Sequence, residues 1–193
     1  MMEKPLNKKH VCPWWLCFTF DNPLRKLVHD PIEILSPYVH EGDTVIDIGP
    51  GMGYFTIPLT RLVGPTGKVI AIDIQQKMLS ALTVRAQRKG VADRIKTHLA
   101  GPDSIGFNQK ADFVLAFWMA HEVPEQNKFL SEIRDLIKPD GLFLLVEPRI
   151  HVSRKNFAQT VEMAKQLGFA IKESLPIRMS RSALFALSKT GNP

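Results

Sequence analysis

The chain is 193 residues long, 45% hydrophobic and 23% charged, with a formal net charge of +6, and a length of this order buries roughly 70% of the unfolded surface in one core. No stretch carries the run of about eighteen apolar residues that a spanning helix needs, which excludes a helical transmembrane protein and reads as a soluble, cytoplasmic one. The positive charge suits a phosphate-bearing partner, but Lys and Arg are scattered without a dense run, so nucleic acid is permitted and not favoured.

Read from its start, the chain first shows Lys4, Lys8 and Lys9 ahead of an apolar run from Val11 to Phe20. This imitates a secretory signal, yet it contains Pro13, is aromatic in place of leucine-rich, and leads into Asp21-Asn22-Pro23 without a small-residue cleavage site. Cys12 and Cys17 have no second pair with which to build a zinc site or a disulfide framework, and read as reduced thiols. Residues 1–40, rich in aromatics and prolines, read as a short N-terminal cap on a single domain. Trp14, Trp15, Phe18 and Phe20 fit a lid over a pocket, a cover for the sheet edge, or a membrane-surface contact. A helix is predicted over Pro31–Val39, followed by the turn Glu41-Gly42-Asp43.

From Val45 onward, short β-branched runs alternate with segments of helical period, the pattern of βαβ units that build a parallel sheet. The predicted strands are Val45–Ile48, Val69–Ile72, Ile95–Leu99, Phe113–Phe117, Leu142–Val146, Ala170–Glu173 and Ala183–Ser188. Helices are predicted over Tyr54–Val63, Gln76–Lys89, Glu125–Ile137 and Lys155–Leu167. The third of these stops at Lys138-Pro139-Asp140-Gly141, a basic end, a proline and a glycine.

The most informative stretch is Val45-Ile46-Asp47-Ile48-Gly49-Pro50-Gly51-Met52-Gly53-Tyr54-Phe55, a strand running through a glycine-rich turn into a helix. Glycine lets the main chain turn with positive φ and lets a ligand approach it closely, and the helix N-terminus beyond offers free N–H groups. A dinucleotide fingerprint would need a sixth-position glycine for helix–strand packing, where this chain has Tyr54. Asp47, two residues before the first glycine, is awkward beside a pyrophosphate but suits a ligand bearing an ammonium group. S-adenosylmethionine (SAM) is such a ligand.

This stretch resembles motif I of the class I SAM-dependent methyltransferases. Val69-Ile70-Ala71-Ile72-Asp73, Ala111–Phe117 and Leu136–Val146 are similar to further motifs of that family, in its order and spacing. The resemblance extends from about residue 40 to the C-terminus. It implies a Rossmann-like, mostly parallel sheet of seven strands with the last antiparallel, helices on both faces, and SAM across the carboxyl ends of the first strands. It implies a cofactor set of Asp47, Gly49, Gly51, Gly53, Asp73, Ile74, Asp103 and Phe117, with Asp73 receiving the ribose hydroxyls. The chain departs from the family after its third strand, where Ala100-Gly101-Pro102-Asp103 stands in place of Gly-Asp-Ala. Asp103 is read either as the adenine-facing acid in a shifted position or as an ordinary surface acid.

Methyl transfer from a sulfonium needs alignment and exclusion of water above all, and a base only for some acceptors. His121 and Glu122, after the fourth strand, are the candidate catalytic residues: a near-neutral imidazole suits a general base, and Glu122 its partner. The competing reading makes His121 part of a helix start near Pro124 and Glu122 an acid favoured by the helix dipole. No Asn/Asp-Pro-Pro-Tyr/Phe motif follows the fourth strand and no cysteine is near it, which weighs against the DNA amino-group and cytosine-carbon enzymes of this fold. His121-Glu122 lacks the second histidine of a zinc protease. No metal is implied. The expected activity is SAM-dependent methylation of a small-molecule acceptor, of the ubiquinone/menaquinone-biosynthesis type. An RNA or protein methyltransferase, or a SAM-binding module without catalysis, are the alternatives.

Overall fold

A computed structural model describes Arg25 and residues 28–188. The aromatic segment with Trp14, Trp15, Phe18 and Phe20, and both cysteines, lie outside the described residues. The described elements run α1 (Pro31–Leu35), β1 (Thr44–Ile48), α2 (Thr56–Leu62), β2 (Lys68–Asp73), α3 (Gln76–Arg88), β3 (Ile95–Leu99), β4 (Ala111–Phe117), α4 (Gln126–Leu136), β5 (Ile137–Pro148), α5 (Arg154–Gln166), β6 (Phe169–Glu173) and β7 (Ser180–Leu187).

The strands form one seven-stranded sheet in the order β3-β2-β1-β4-β5-β7-β6. β1 pairs in parallel with β2 and β4, and β2 with β3 and β4 with β5 likewise, whereas β7 runs antiparallel to both β5 and β6. The inner strands read as unbroken apolar runs because helices cover both their faces. Side chains alternate between the two: Ile46, Ile70, Val114 and Leu145 pack with Phe129, Ile133 and Ala164 of α4 and α5. Val45, Val69, Leu115 and Leu144 face Leu35 of α1 and Leu59 of α2. Ala71 meets Leu79 and Leu82 of α3.

Every predicted strand and helix is present, with differences at the ends. α1 stops at Leu35 although the reading ran to Val39, since Pro37 has no N–H to extend the ladder. α2 begins at Thr56 because the glycine-rich turn continues through Phe55. Ile137 leaves α4 and pairs with Ala111, so that Lys138–Gly141 lies inside β5 as an irregularity. The Lys138 ammonium fixes it there, 2.8 Å from both oxygens of Asp112, whose Oδ2 also accepts the Thr44 amide at 2.9 Å. β7 starts three residues early: polar Ser180, Arg181 and Ser182 lack strand-like hydropathy, but each pairs with the end of β5.

The antiparallel end of the sheet is held by three phenylalanines. Phe143, Phe169 and Phe185, one from each of β5, β6 and β7, stand 5.7–5.8 Å apart between ring centroids, all of them buried. Truncating a buried phenylalanine costs about 3–5 kcal/mol in lost transfer energy and cavity. Phe185→Ala is therefore expected to lower unfolding stability by that amount in urea titration, with the far-ultraviolet spectrum of the folded chain retained.

Candidate active site

A cavity of about 670 Å³ opens at the carboxyl ends of β1, β2, β4 and β5. Its first wall is the glycine-rich turn. Gly49, Gly51 and Gly53 have φ of +69°, +55° and +91°, a region that costs other residues roughly 1–2 kcal/mol. At Gly53 a Cβ would run into Leu82 Cδ1, the movable end of a side chain, so it is the φ of +91° that calls for glycine. At Gly51 a Cβ would meet no atom within 4 Å. What glycine preserves at that position is open space at the cavity wall.

Two carboxylates stand behind this turn. Asp73, at the end of β2, is 8% exposed and accepts the Gln75 amide at 2.8 Å together with amides of Gly51 and Ile74. Burial raises its pKa to about 6, the three amides hold it down, and the charge of Glu122 pushes it up. Asp47, at the end of β1, is almost wholly buried and accepts the Thr56 hydroxyl at 2.6 Å. Burial raises Asp47 to about 7, the Thr56 hydroxyl opposes this, Asp73 adds to it and Arg25 lowers it. Two desolvated acids thus line the cavity, one hydrogen-bonded to a hydroxyl and the other to three main-chain amides.

The rim opposite is the loop after β3. Glu132 of α4 anchors it through two contacts, accepting the Ser104 hydroxyl at 2.8 Å and the Ile105 amide at 2.6 Å. Asp103 is exposed on this loop and lines the cavity, as does Ile74, 48% exposed, beside Asp73.

The far half of the cavity is aromatic. Phe117 closes β4, and Trp118 follows in the left-handed region at φ +60°, its indole N–H donating to Ser180 Oγ at 2.9 Å. Arg25 lies over Tyr54 at 4.3 Å and within 5.8 Å of the Phe55, Phe117 and Trp118 ring centroids.

His121 and Glu122 sit in a separate 3₁₀ turn, Ala120–Glu122, and both line the cavity. α4 starts only at Gln126, so neither belongs to its first turn. The partner of His121 is Glu147, an acid the sequence reading did not select. His121 Nδ1 is 2.5 Å from Glu147 Oε2, and the His121 amide donates to Glu147 Oε1 at 3.1 Å. Burial would lower the imidazole pKa, but hydrogen bonding to Glu147 and the charges of Glu147 and Glu122 outweigh it, and the net shift is upward. A signal was available in Leu144-Leu145-Val146-Glu147: an acid closing an apolar parallel strand stands where open sheets bind ligands. Arg25 and His151, which also line the cavity, carry no motif. The structure thus brings all ten sequence-selected residues to the glycine turn or the cavity it borders. Of these, Gly53 shapes the turn through its positive φ, and Asp103 stands at the outer rim.

A model of a family described as a methyltransferase domain matches residues 39–183. The ubiquinone/menaquinone biosynthesis C-methyltransferase UbiE of Pasteurella multocida is 31% identical over 110 residues, 56% of this chain and 41% of that protein. The demethylmenaquinone methyltransferase of Lactobacillus johnsonii is 31% identical over 110 residues, covering 56% of this chain and 45% of its own length. The chain therefore spans less than half the length of these curated relatives. Among solved structures, a SAM-dependent methyltransferase from Aquifex aeolicus superimposes with a TM-score of 0.82 at 22% identity, over 91% of this chain and 98% of that one. Aeropyrum pernix fibrillarin, solved with natively bound SAM, gives a TM-score of 0.63 at 14% identity over 77% and 68% of the two chains.

The raised acids make stability depend on pH. A carboxyl whose folded pKa exceeds its unfolded value of 3.8 favours the fold in acid, and that contribution disappears as pH rises through its folded value, about 7 for Asp47. Unfolding free energy of the ligand-free chain should thus fall between pH 4 and 7. Asp47→Asn should make the slope shallower by up to one proton, about 1.4 kcal/mol per pH unit, in denaturant titrations across that range.

Proposed function

The chain belongs to the methyltransferase-domain family, among the class I SAM-dependent methyltransferases, and from that premise we propose that it transfers a methyl group from SAM to a small-molecule acceptor. The observation that carries this reading is one continuous cavity, with buried carboxylates and a glycine turn on one side and aromatic rings with a histidine on the other.

The chain's residues fit the cofactor. Asp47 offers a desolvated carboxylate to an ammonium group, Asp73 offers one to vicinal hydroxyls, and Gly51 leaves a space that any Cβ would fill. In this proposal Gly49 and Gly53 shape the turn, Ile74 covers the nucleobase, Asp103 meets its edge and Phe117 lies by the transferred group. SAM supplies an already activated methyl, so the work of the chain is to align the acceptor and exclude water. His121 takes the acceptor's proton, and Glu122 adds negative charge beside it.

A small acceptor is favoured because the free half of the cavity is walled by side chains such as Tyr54, Trp118 and His151. The named relatives act in quinone biosynthesis, and a planar aromatic ring of that size suits the same walls. The reading includes a single domain to which residues 1–40 add a cap. It is supported by Arg25, which reaches the cavity from within that segment. Among the described residues no helix is long and apolar enough to cross a membrane. A cytoplasmic location belongs to the same proposal.

Calorimetry with SAM and with its demethylated product tests the premise. Affinity for SAM should rise from pH 6 to 7.5 as Asp47 ionises beside the ammonium. Asp47→Asn should flatten that dependence and weaken binding roughly ten- to a hundredfold at the upper end. No binding of either compound would sink the reading. Labelled SAM supplied with a metabolite extract or with RNA should put label into small molecules; label in RNA would transfer the proposal to an RNA methyltransferase, and binding without any transfer would reduce the chain to a SAM-binding module. His121→Gln should cut turnover by about 10²–10⁴ while SAM affinity is unchanged; equal turnover across pH would remove the base.

A further inference from the structure

His121 is gripped twice by one buried residue. Glu147 is 2% exposed, sits near the end of β5, and takes the ring Nδ1 with one oxygen and the backbone amide of the same residue with the other. Ring orientation and 3₁₀ turn are thereby fixed together. Arg181, paired with Glu147 across the sheet, and Arg149, just beyond β5, are bonded elsewhere: Arg149 Nε donates to the Ser180 carbonyl and Arg181 Nε to that of Val152. A buried carboxylate here faces an imidazole where an arginine was at hand. With Nδ1–H given to Glu147, the neutral ring keeps its lone pair on Nε2, and His121 lines the main cavity.

We propose that Glu147 is the positioning residue that makes His121 a base, and that the acceptor is accordingly one that must lose a proton when methylated: a hydroxyl, a thiol or an acidic carbon. Sulfides and tertiary amines fall outside this class. This inference rests on the methyl-transfer reading above. The acceptor atom bonds to the methyl carbon as the carbon–sulfur bond breaks, sulfur keeps that electron pair, and the acceptor's proton passes to Nε2. The site's positive charge thus moves from the sulfonium to the imidazolium. An acceptor without a proton to lose would carry the charge out itself, and a buried counter-ion at Nδ1 would have no use.

Other groups around His121 do not duplicate Glu147. Glu122 comes from the same turn, and the His151 ring lies 5.5 Å away between centroids. α4 and α5 present uncharged Gln126, Asn156, Gln159 and Thr160 to a second cavity, of about 580 Å³, which His121 and Glu147 also line. Lys128 and Glu132 of α4 line the main cavity.

The test uses the full chain. In the SAM-free wild type, nuclear magnetic resonance of the ring nitrogens should show His121 protonated at Nδ1 when neutral and titrating above the ordinary imidazole value of 6.5. A value below 6.5, or the Nε2-protonated tautomer, overturns the proposal without any variant having to fold. Glu147→Gln, which keeps shape and removes charge, should leave the SAM dissociation constant within twofold. It should lower methylation of 1,4-dihydroxynaphthalene or of a metabolite extract at least about tenfold, and move the acidic limb of the rate profile to lower pH. Wild-type turnover with an unshifted profile in Glu147→Gln overturns this inference alone, as does a sulfide or tertiary amine as the main labelled product. Failure of the wild type to label any acceptor while binding SAM overturns the methyl-transfer reading and this inference with it.

Discussion

The structure depends on where β1 lies. The first strand of the sheet is hydrogen-bonded to β2 on one side and β4 on the other, so the chain winds outward in one direction, returns, and winds in the other. The connections on the two sides of β1 lie on opposite faces, and the carboxyl ends of β1 and β4 are left uncovered between them. Any polar residue at those ends is held by a rigid apolar strand yet opens to a crevice. Asp47 has that position. Its neighbours on β1 fill the core on both faces of the sheet.

Charge is arranged across the crevice accordingly. Asp47 and Asp73 are desolvated at the ends of β1 and β2, and the Arg25 guanidinium, whose charge reaches Asp47, lies among the aromatic rings of Tyr54, Phe55, Phe117 and Trp118. The turn from Trp118 to Glu122 lines the same cavity. A non-glycine residue in the left-handed region costs energy that surrounding contacts must supply; for Trp118 they are the Ser180 hydroxyl on the indole, the Val146 carbonyl on the backbone amide, and the edge of the His29 ring. The strained residue directs the chain out of β4 so that His121 reaches Glu147.

Much of this was legible in the sequence, and for local reasons. β-Branched runs and helical spacing report which faces are apolar, and burial on a sheet covered by helices demands that pattern, so each strand and helix was found within a few residues of its place. The glycine turn, Asp47 and Asp73 were found because a tight turn needs particular residue types at fixed intervals. What escaped has no local signature. Ser180 to Ser182 become strand only because β5 offers partners, and Ile137 leaves its helix only because Ala111 is there to pair. Glu147 is 26 residues from His121, and no spacing rule links a strand-end acid to a turn before the previous helix. Glu122, adjacent in sequence, was the partner that proximity along the chain suggested; the fold supplied another.

The Glu132 anchor has a consequence of a different kind. One side chain on α4 fixes the loop after β3 through a hydroxyl and a main-chain amide, and Ile105 behind it is buried in the core. Of the rim residues, Gly101 closes the turn by donating its amide to the Ser104 carbonyl at 3.0 Å, and Pro102 and Asp103 lie between the two. The segment in which the chain departs from the family's pattern is thus closed on itself by one main-chain bond and hangs from the helix through Ser104 and Ile105. Under the proposed function, substitutions at Pro102 and Asp103 would bear on the ligand's edge more than on the fold, which lets a lineage change its rim chemistry without first finding a compensating change elsewhere.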